Sequence, residues 1–202
     1  MNINNCEQRS DEWYRLRAGS IGGTRFSQVI SGRKNRLVYD LLEEMLNGYA
    51  EMDDYISDDM QYGIDNEPIA RQLYSEHSGI EFQQVGMVQS DYSAIHHASP
   101  DGINLERGII LETKCTPNGS IHIQRFFEGP ESTHAGQNTN YFAVSDEVKE
   151  VHWVSFCPNR PERPLVVHIL KREQFLNDVL SGRKKVQQIE KQLNELKNKF
   201  IF

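Results

Sequence analysis

The stretch GIILETKC, residues 108 to 115, constrains this chain more than any other. Ile109, Ile110 and Leu111 read as a strand buried on both faces, yet Glu112 and Lys114 follow at once. Side chains alternate along a strand, so the two charges share one face and Thr113 takes the other. A charge at the inner end of a buried strand is costly unless it is paired or binds a metal. The arrangement therefore demands a partner or a chemical task. Asp101 is the natural third member, in the turn formed by Ser99, Pro100, Asp101 and Gly102. Pro100 presets the bend, and Gly102 is expected to supply backbone freedom.

Around this stretch the pattern predicts helices before and after a central set of strands. Ser10 caps a short helix that stops at Gly19, and a second helix starts near Thr24 after Gly22 and Gly23. A third runs through NRLVYDLLEEMLNGY and ends at Gly48. Pro68 belongs to a first helical turn, which places Glu67 at the entry of a fourth. Strands are expected at about 80 to 89, 93 to 97, 102 to 106 and 108 to 115, with LERG as a tight hairpin. Two helical segments, IHIQRFFEG and STHAGQNTNYFAVS, precede a strand pair at VHWVSFCP and PLVVHIL. The tail from about 171 to 199 reads as one long helix with a possible break at Gly182. The expectation is a single α/β domain over residues 1–202 with a central mixed sheet flanked by helices: N-terminal helices over 1–50, a core over 60–170 and a C-terminal helix over 171–202.

Composition excludes several classes. A chain of 202 residues with 38% hydrophobic and 25% charged residues can bury one substantial core, and no apolar run approaches a membrane span. The opening residues lack the basic and apolar regions of a signal peptide, so a cytoplasmic protein is expected. Cys6, Cys115 and Cys157 are odd in number and far apart, which argues for reduced thiols and against a paired-cysteine metal site. The formal charge of −7 is unevenly spread. Seven acids and no base lie between Glu51 and Glu67, whereas from Lys171 onward eight bases face four acids, leaving −11 on the first 170 residues. Two solvated faces explain this simply. A nuclease would also keep acids at a metal site and bases along a groove.

Asp101 and Glu112 offer hard oxygen ligands suited to Mg²⁺, and Lys114 beside them could orient or help deprotonate an attacking water. That set resembles the PD-(D/E)xK nuclease superfamily, with PD at Pro100 and Asp101 and ExK at Glu112 to Lys114. Further elements agree in order and spacing: GIDNE, ending at Glu67, resembles the GxxxE element of the RecB-like branch, and QNTNY, Gln137 to Tyr141, its QxxxY helix. WYRLRAGSIGGTRFSQVI is similar to the opening of the phage lambda exonuclease and YqaJ-type recombinase family. The resemblance covers roughly residues 10 to 160 and implies a restriction-endonuclease-like core.

It also implies roles. Glu67, Asp101 and Glu112 would be the acids of a Mg²⁺ site that Mn²⁺ can also fill, Glu67 acting through water and the Thr113 carbonyl adding a ligand. Lys114 would position the attacking water, and Gln137 would support Lys114 or the substrate. Arg17, Thr24 and Ser99 match a pocket for the 5′ phosphate of duplex DNA, which suits a guanidinium and a helix N-terminus. The sequence departs from the family where IGGT replaces I-T-A-S, and where Ser120 stands in place of a second phosphate-binding arginine, Arg125 lying further on. Trp13 reads as a helix anchor rather than a stacking platform. His96 and His97 stay outside the site set, since neighbours on a strand face opposite ways.

The implied activity is a 5′-to-3′ exonuclease that digests one strand of linear double-stranded DNA, releases 5′-phosphomonoesters and leaves 3′ single strands for an annealing protein. A homotrimeric ring around the DNA is implied too. The alternatives are a structure- or site-specific endonuclease with the same chemistry, and a non-catalytic module that binds DNA ends.

Overall fold

The computed structural model describes residues 1–32, 36–50 and 56–201, so Glu51, Asp53 and Asp54 of the acidic run lie outside the described residues. Its centre is a four-stranded sheet in the order β4 (Gly102–Asn104), β5 (Ile109–Cys115), β6 (Glu150–Phe156), β7 (Leu165–Lys171). β5 runs antiparallel to β4 and parallel to β6, and β6 runs antiparallel to β7. The sheet is therefore mixed, as the pattern predicted. The parallel step from β5 to β6 needs a crossover, supplied by α5 (Gly119–Glu128) and α6 (Ala135–Val144). The LERG connection closes the β4–β5 hairpin, with Gly108 at φ 67°.

A second sheet of three short strands, β1 (Asn2–Asn4), β2 (Met87–Gln89) and β3 (His97–Ala98), lies beside the first. These strands are shorter than the periodicity predicts. Ile80 and Phe82 are buried in an irregular segment that joins the main sheet through the Gln83–Ile103 bridge and the Asn104 amide on the Glu81 carbonyl. Ahead of β3, the Gln89 amide donates to the carbonyls of Ala94 and His96 at 2.9 and 3.1 Å, so a side chain does the work of a ladder.

Helices α1 (Asp11–Arg17), α2 (Gly23–Ile30) and α3 (Leu37–Asn47) form where capping signals place them. Ser10 accepts from the Trp13 N–H, and Gly48 ends α3 in the left-handed region at φ 68°. The fourth helix corrects an expectation. α4 spans Asp58–Ser78, so Glu67 sits mid-helix rather than at its entry. Ser57, whose side chain accepts from the Met60 N–H, with Asp58 and Asp59 in the first turn, is the stronger start signal. Pro68 lies on the exposed face, where water can serve the carbonyl of Ile64 that loses its N–H partner.

The long tail helix, α7 (Leu176–Ile201), does not break at Gly182. A Cβ there would lie 2.4 Å from Cζ of fully buried Phe26, so the glycine permits α7 to pack closely on α2. Phe26, Val151, Phe142, Val186 and Ile189 share one core that ties the first and last helices to the sheet. On its other side Phe26 stacks on His96, with ring centroids 5.3 Å apart. His96 Nε2 donates to Asn140 Oδ1 at 2.7 Å, because the Asn140 amide nitrogen is already spent on the His97 carbonyl. Nδ1 has no partner. Burial therefore pushes the His96 pKa down to about 4.

Two outcomes follow from this packing. Gly182→Ala overpacks the Phe26 contact and is expected to cost about 1–3 kcal/mol, read from the urea midpoint. Between pH 6.5 and 4 the unfolded chain binds the His96 proton and the folded chain refuses it, so stability falls as pH falls through that window. The loss from His96 approaches about 3 kcal/mol at its lower end. Histidine C–H NMR resonances follow the same proton, and an inflection for His96 near pH 6.5 would refute the assignment.

Candidate active site

Glu112 is 2% exposed, at the end of the apolar run of β5, and its two oxygens are fully engaged. Oε1 meets Lys114 Nζ at 2.5 Å and accepts from Gln137 Nε2 at 2.8 Å, while Oε2 accepts from the Tyr141 hydroxyl. Gln137 Oε1 in turn accepts from Lys114 Nζ at 3.3 Å. Alternation puts Glu112 and Lys114 on one face of β5, and one turn of α6 brings Gln137 and Tyr141 over it. The expected strand pair thus finds partners from a helix distant in sequence.

Asp101 approaches from the other side. The ladder with β4 ends at the Leu111–Gly102 pair, so the next part of that edge of β5 is open. There the Thr113 N–H and hydroxyl both donate to Asp101 Oδ2, at 2.6 and 2.7 Å. A strand residue sends its N–H and C=O to the same edge, so the Thr113 carbonyl faces the Asp101 side too. Gly102 is not at positive φ, contrary to the freedom expected of it. What it supplies is space, since an added Cβ would stand 3.0 Å from Phe82 Cβ and 3.2 Å from Arg71 Cδ. Arg71, one turn beyond Glu67 on α4, donates to the Asp101 carbonyl at 2.7 Å and so fixes the turn.

A cavity of about 300 Å³ is lined by Glu67, Asp101, Glu112, Thr113, Lys114 and Gln137, and equally by Arg17, Thr24 and Ser99. All nine residues singled out from sequence therefore border one space. Arg17 lies over the Trp13 ring, 3.9 Å from its centroid, and Trp13 Nε1 donates to Ser99 Oγ at 3.2 Å. Trp13 is thus both the anchor expected and a platform for Arg17. Thr24 stands in the first turn of α2, whose N-terminus no side chain caps. The glycines that depart from the family pattern are explained by crowding. A Cβ on Gly22 would be 2.7 Å from His97 Nε2, and one on Gly23 would be 3.1 Å from Gln137 Cγ.

The electrostatics are those of too many acids in too little water. Burial, then the charges of Glu112 and Glu67, push Asp101 well above the ordinary carboxylate pKa. Glu67 is raised by burial and by Glu112, against the pull of Arg9. Burial alone would lower Lys114, but Glu112, Asp101 and Glu67 outweigh it and keep the ammonium protonated above its usual range. A cation would relieve this excess. Among the described residues no three acidic, histidine or cysteine side chains form a ready cage. The inner donors are Asp101, Glu112 and the Thr113 carbonyl, a set that fits an ion such as Mg²⁺ that keeps several waters, or Mn²⁺.

Several contributors escaped the sequence reading. Arg71 lies one helical turn from Glu67, a spacing that could have flagged it, and Tyr141, read only as the end of the QxxxY element, donates to Glu112. Arg25 makes a twofold pair with buried Glu44, and Arg9 pairs with Glu67 at 3.6 Å. Neither has a local signal. Arg125, the nearest arginine after β5, is tied to Glu131 at 2.7 Å and to the Lys114 carbonyl at 3.0 Å, so it braces the strand end. Part of the basic tail is likewise structural. Arg172 and Arg183 donate to the Phe142, Ala143 and Ser145 carbonyls at the C-terminal end of α6. No helix among the described residues is long and apolar enough to cross a membrane.

The mixed sheet, its crossover helices and the carboxylate–lysine–glutamine cluster define a lambda-exonuclease-like nuclease fold. An alkaline exonuclease from Laribacter hongkongensis, LHK-Exo, shares it at 24% identity and a TM-score of 0.78, with 95% of this chain and 98% of that one covered. LHK-Exo in complex with dAMP matches at 22% identity, TM-score 0.77 and the same coverage. A phage-related exonuclease from Haemophilus somnus 129PT matches at 15% identity and a TM-score of 0.60, over 87% of this chain and 95% of that one. A comparison with curated proteins found no match. The model of the YqaJ-like viral recombinase domain matches residues 12–143, more than half of the 202, and the chain belongs to that family.

The crowding of Asp101 makes a prediction independent of activity. Its raised pKa means that ionisation opposes folding at neutral pH. Asp101→Asn retains an acceptor for Thr113 and is expected to unfold at a higher urea concentration than wild type in EDTA at pH 8. A lower urea midpoint for that variant would contradict the electrostatic account.

Proposed function

We propose that this chain is a divalent-cation-dependent exonuclease that degrades the 5′-terminated strand of linear double-stranded DNA, releases 5′-phosphomononucleotides and leaves 3′ single strands. The observation that carries this reading is the single cavity shared by Arg17, Thr24 and Ser99 with Asp101, Glu112 and Lys114. A group of phosphate-binding character beside a hydrolytic set suits a substrate whose end is seated next to the bond to be cut. Family membership supports the nuclease class, and a relative of this fold that takes dAMP supports a deoxynucleoside monophosphate as product.

Asp101, Glu112 and the Thr113 carbonyl would hold Mg²⁺ or Mn²⁺, with Glu67 reaching it through water. When bound, the ion supplies charge neutralisation at the phosphate and lowers the pKa of water. Lys114, held by Glu112 and Gln137, orients the attacking water through its N–H groups. Gln137 and Tyr141 keep Glu112 in one orientation. Arg17 grips the terminal phosphate from its seat on Trp13, and Ser99 and Thr24 donate hydrogen bonds to it. These roles rest on preorganised position and charge, the main resources for phosphoryl transfer. The ring of three subunits and the annealing protein that receives the 3′ strand belong to this proposal through the family resemblance.

The test uses linear duplex DNA labelled separately at its 5′ and 3′ ends, beside covalently closed circles, with Mg²⁺ and then EDTA. Rapid release of the 5′ label, untouched circles and complete block by EDTA are expected. Cut circles would make the chain an endonuclease, and no Mg²⁺-dependent loss from any substrate would make it a binding module. Lys114→Ala is expected to slow hydrolysis by about 100-fold or more while duplex affinity changes little.

A further inference from the structure

Arg9 occupies a backbone conformation in which glycine is the usual residue. Its φ is 67°, and among the described residues it is the only non-glycine residue at positive φ. Such a conformation persists only where the surroundings enforce it. Here they do so from both sides. Gln8 Nε2 donates to the carbonyls of Val85 and Pro100, at 2.8 and 2.9 Å. Ser10 returns to the Glu7 carbonyl through its N–H and its hydroxyl, at 3.2 and 2.6 Å, and caps the helix that carries Trp13 and Arg17. The turn is thereby pinned between the residue preceding Asp101 and the helix of the phosphate-binding group.

From that turn Arg9 borders both the 300 Å³ cavity and the larger adjoining cleft of about 580 Å³. Two other arginines that line the cleft are locked: Arg25 on buried Glu44, and Arg125 on Glu131 and the Lys114 carbonyl. Arg17 is seated on Trp13. The Arg9 contact with Glu67 differs, because it is 3.6 Å long and the Arg9 side chain is 42% exposed. An ion pair of that kind contributes little and exchanges readily. A phosphate offers a guanidinium a better, two-pronged match.

We propose that Arg9 is a DNA-positioning residue that rests on Glu67 in the free protein and transfers its guanidinium to a backbone phosphate of the duplex when DNA enters. The strained turn holds the side chain over the cleft, and the exchange frees the Glu67 carboxylate for the ion site. This inference rests on the assignment of the cavity to duplex DNA.

The test is an anisotropy titration of a short, fluorescent, 5′-phosphorylated duplex in EDTA, at salt from about 50 to 200 mM. Arg9→Gly removes the guanidinium and relieves the positive φ, so its unfolding temperature is expected to equal or exceed that of wild type. Its duplex affinity is expected to fall about 5–10-fold, with a salt slope shallower by about one phosphate. Arg9→Lys should restore the slope but only part of the affinity. Wild-type affinity and slope in Arg9→Gly would overturn the inference and leave the proposed function standing. A lower unfolding temperature in Arg9→Gly would assign Arg9 to folding and overturn it too. Failure of the wild-type chain to bind the duplex would sink both.

Discussion

A buried carboxylate in the middle of a buried strand sets the terms for the rest of this structure. Glu112 is tolerable at 2% exposure only because Lys114, Gln137 and Tyr141 satisfy both of its oxygens. Two of those partners belong to α6, which must therefore lie across the face of β5. α6 has its own requirement, since its last carbonyls need donors, and Arg172 and Arg183 reach them from the C-terminal segment. Phe26 of α2 and Gly182 of α7 then pack against each other over the same core. The ends of the chain thus support a centre built from its middle.

The other acids, Asp101 and Glu67, are held against their own preference. Burial and the charge of Glu112 raise both, and Lys114 and Arg9 offset only part of that. Such an arrangement lowers stability in the free protein, and a cation would offset it. The donors suit one. They are hard oxygens, and the Thr113 carbonyl joins them on an edge of β5 that β4 leaves open.

The side of the cavity formed by Arg17, Thr24 and Ser99 is assembled by a different logic, in which aromatic packing places a charge. Trp13 is buried against the carbonyl of Gly86 and the hydroxyl of Ser99, and its face carries Arg17. Gly22 and Gly23 let α2 start close to His97 and Gln137, which brings the uncapped helix end toward the same cavity. Departures from the family pattern at these positions are therefore matters of space as well as of contact.

Much of this was legible in the sequence because it depends on short-range periodicity. Alternation along GIILETKC put Glu112 and Lys114 on one face, Ser10 set the start of α1, the Gly22–Gly23 break that of α2, and Gly48 the end of α3. The nine site residues follow from motifs that resemble those of the family, and the fold places all nine around one cavity. What only the tertiary structure decided concerns contacts between segments far apart in the chain. Glu67 lies mid-helix because the start signal at Ser57 outweighs Pro68, a competition that local rules do not rank. Gly182 looked like a helix break and is a close approach to Phe26, 156 residues earlier in the numbering. The Arg9–Glu67 pair and the arginine clamps on α6 carry no local signature at all. A side chain's neighbours within one element follow from helical and strand repeats, whereas its neighbours across elements exist only after the core has closed.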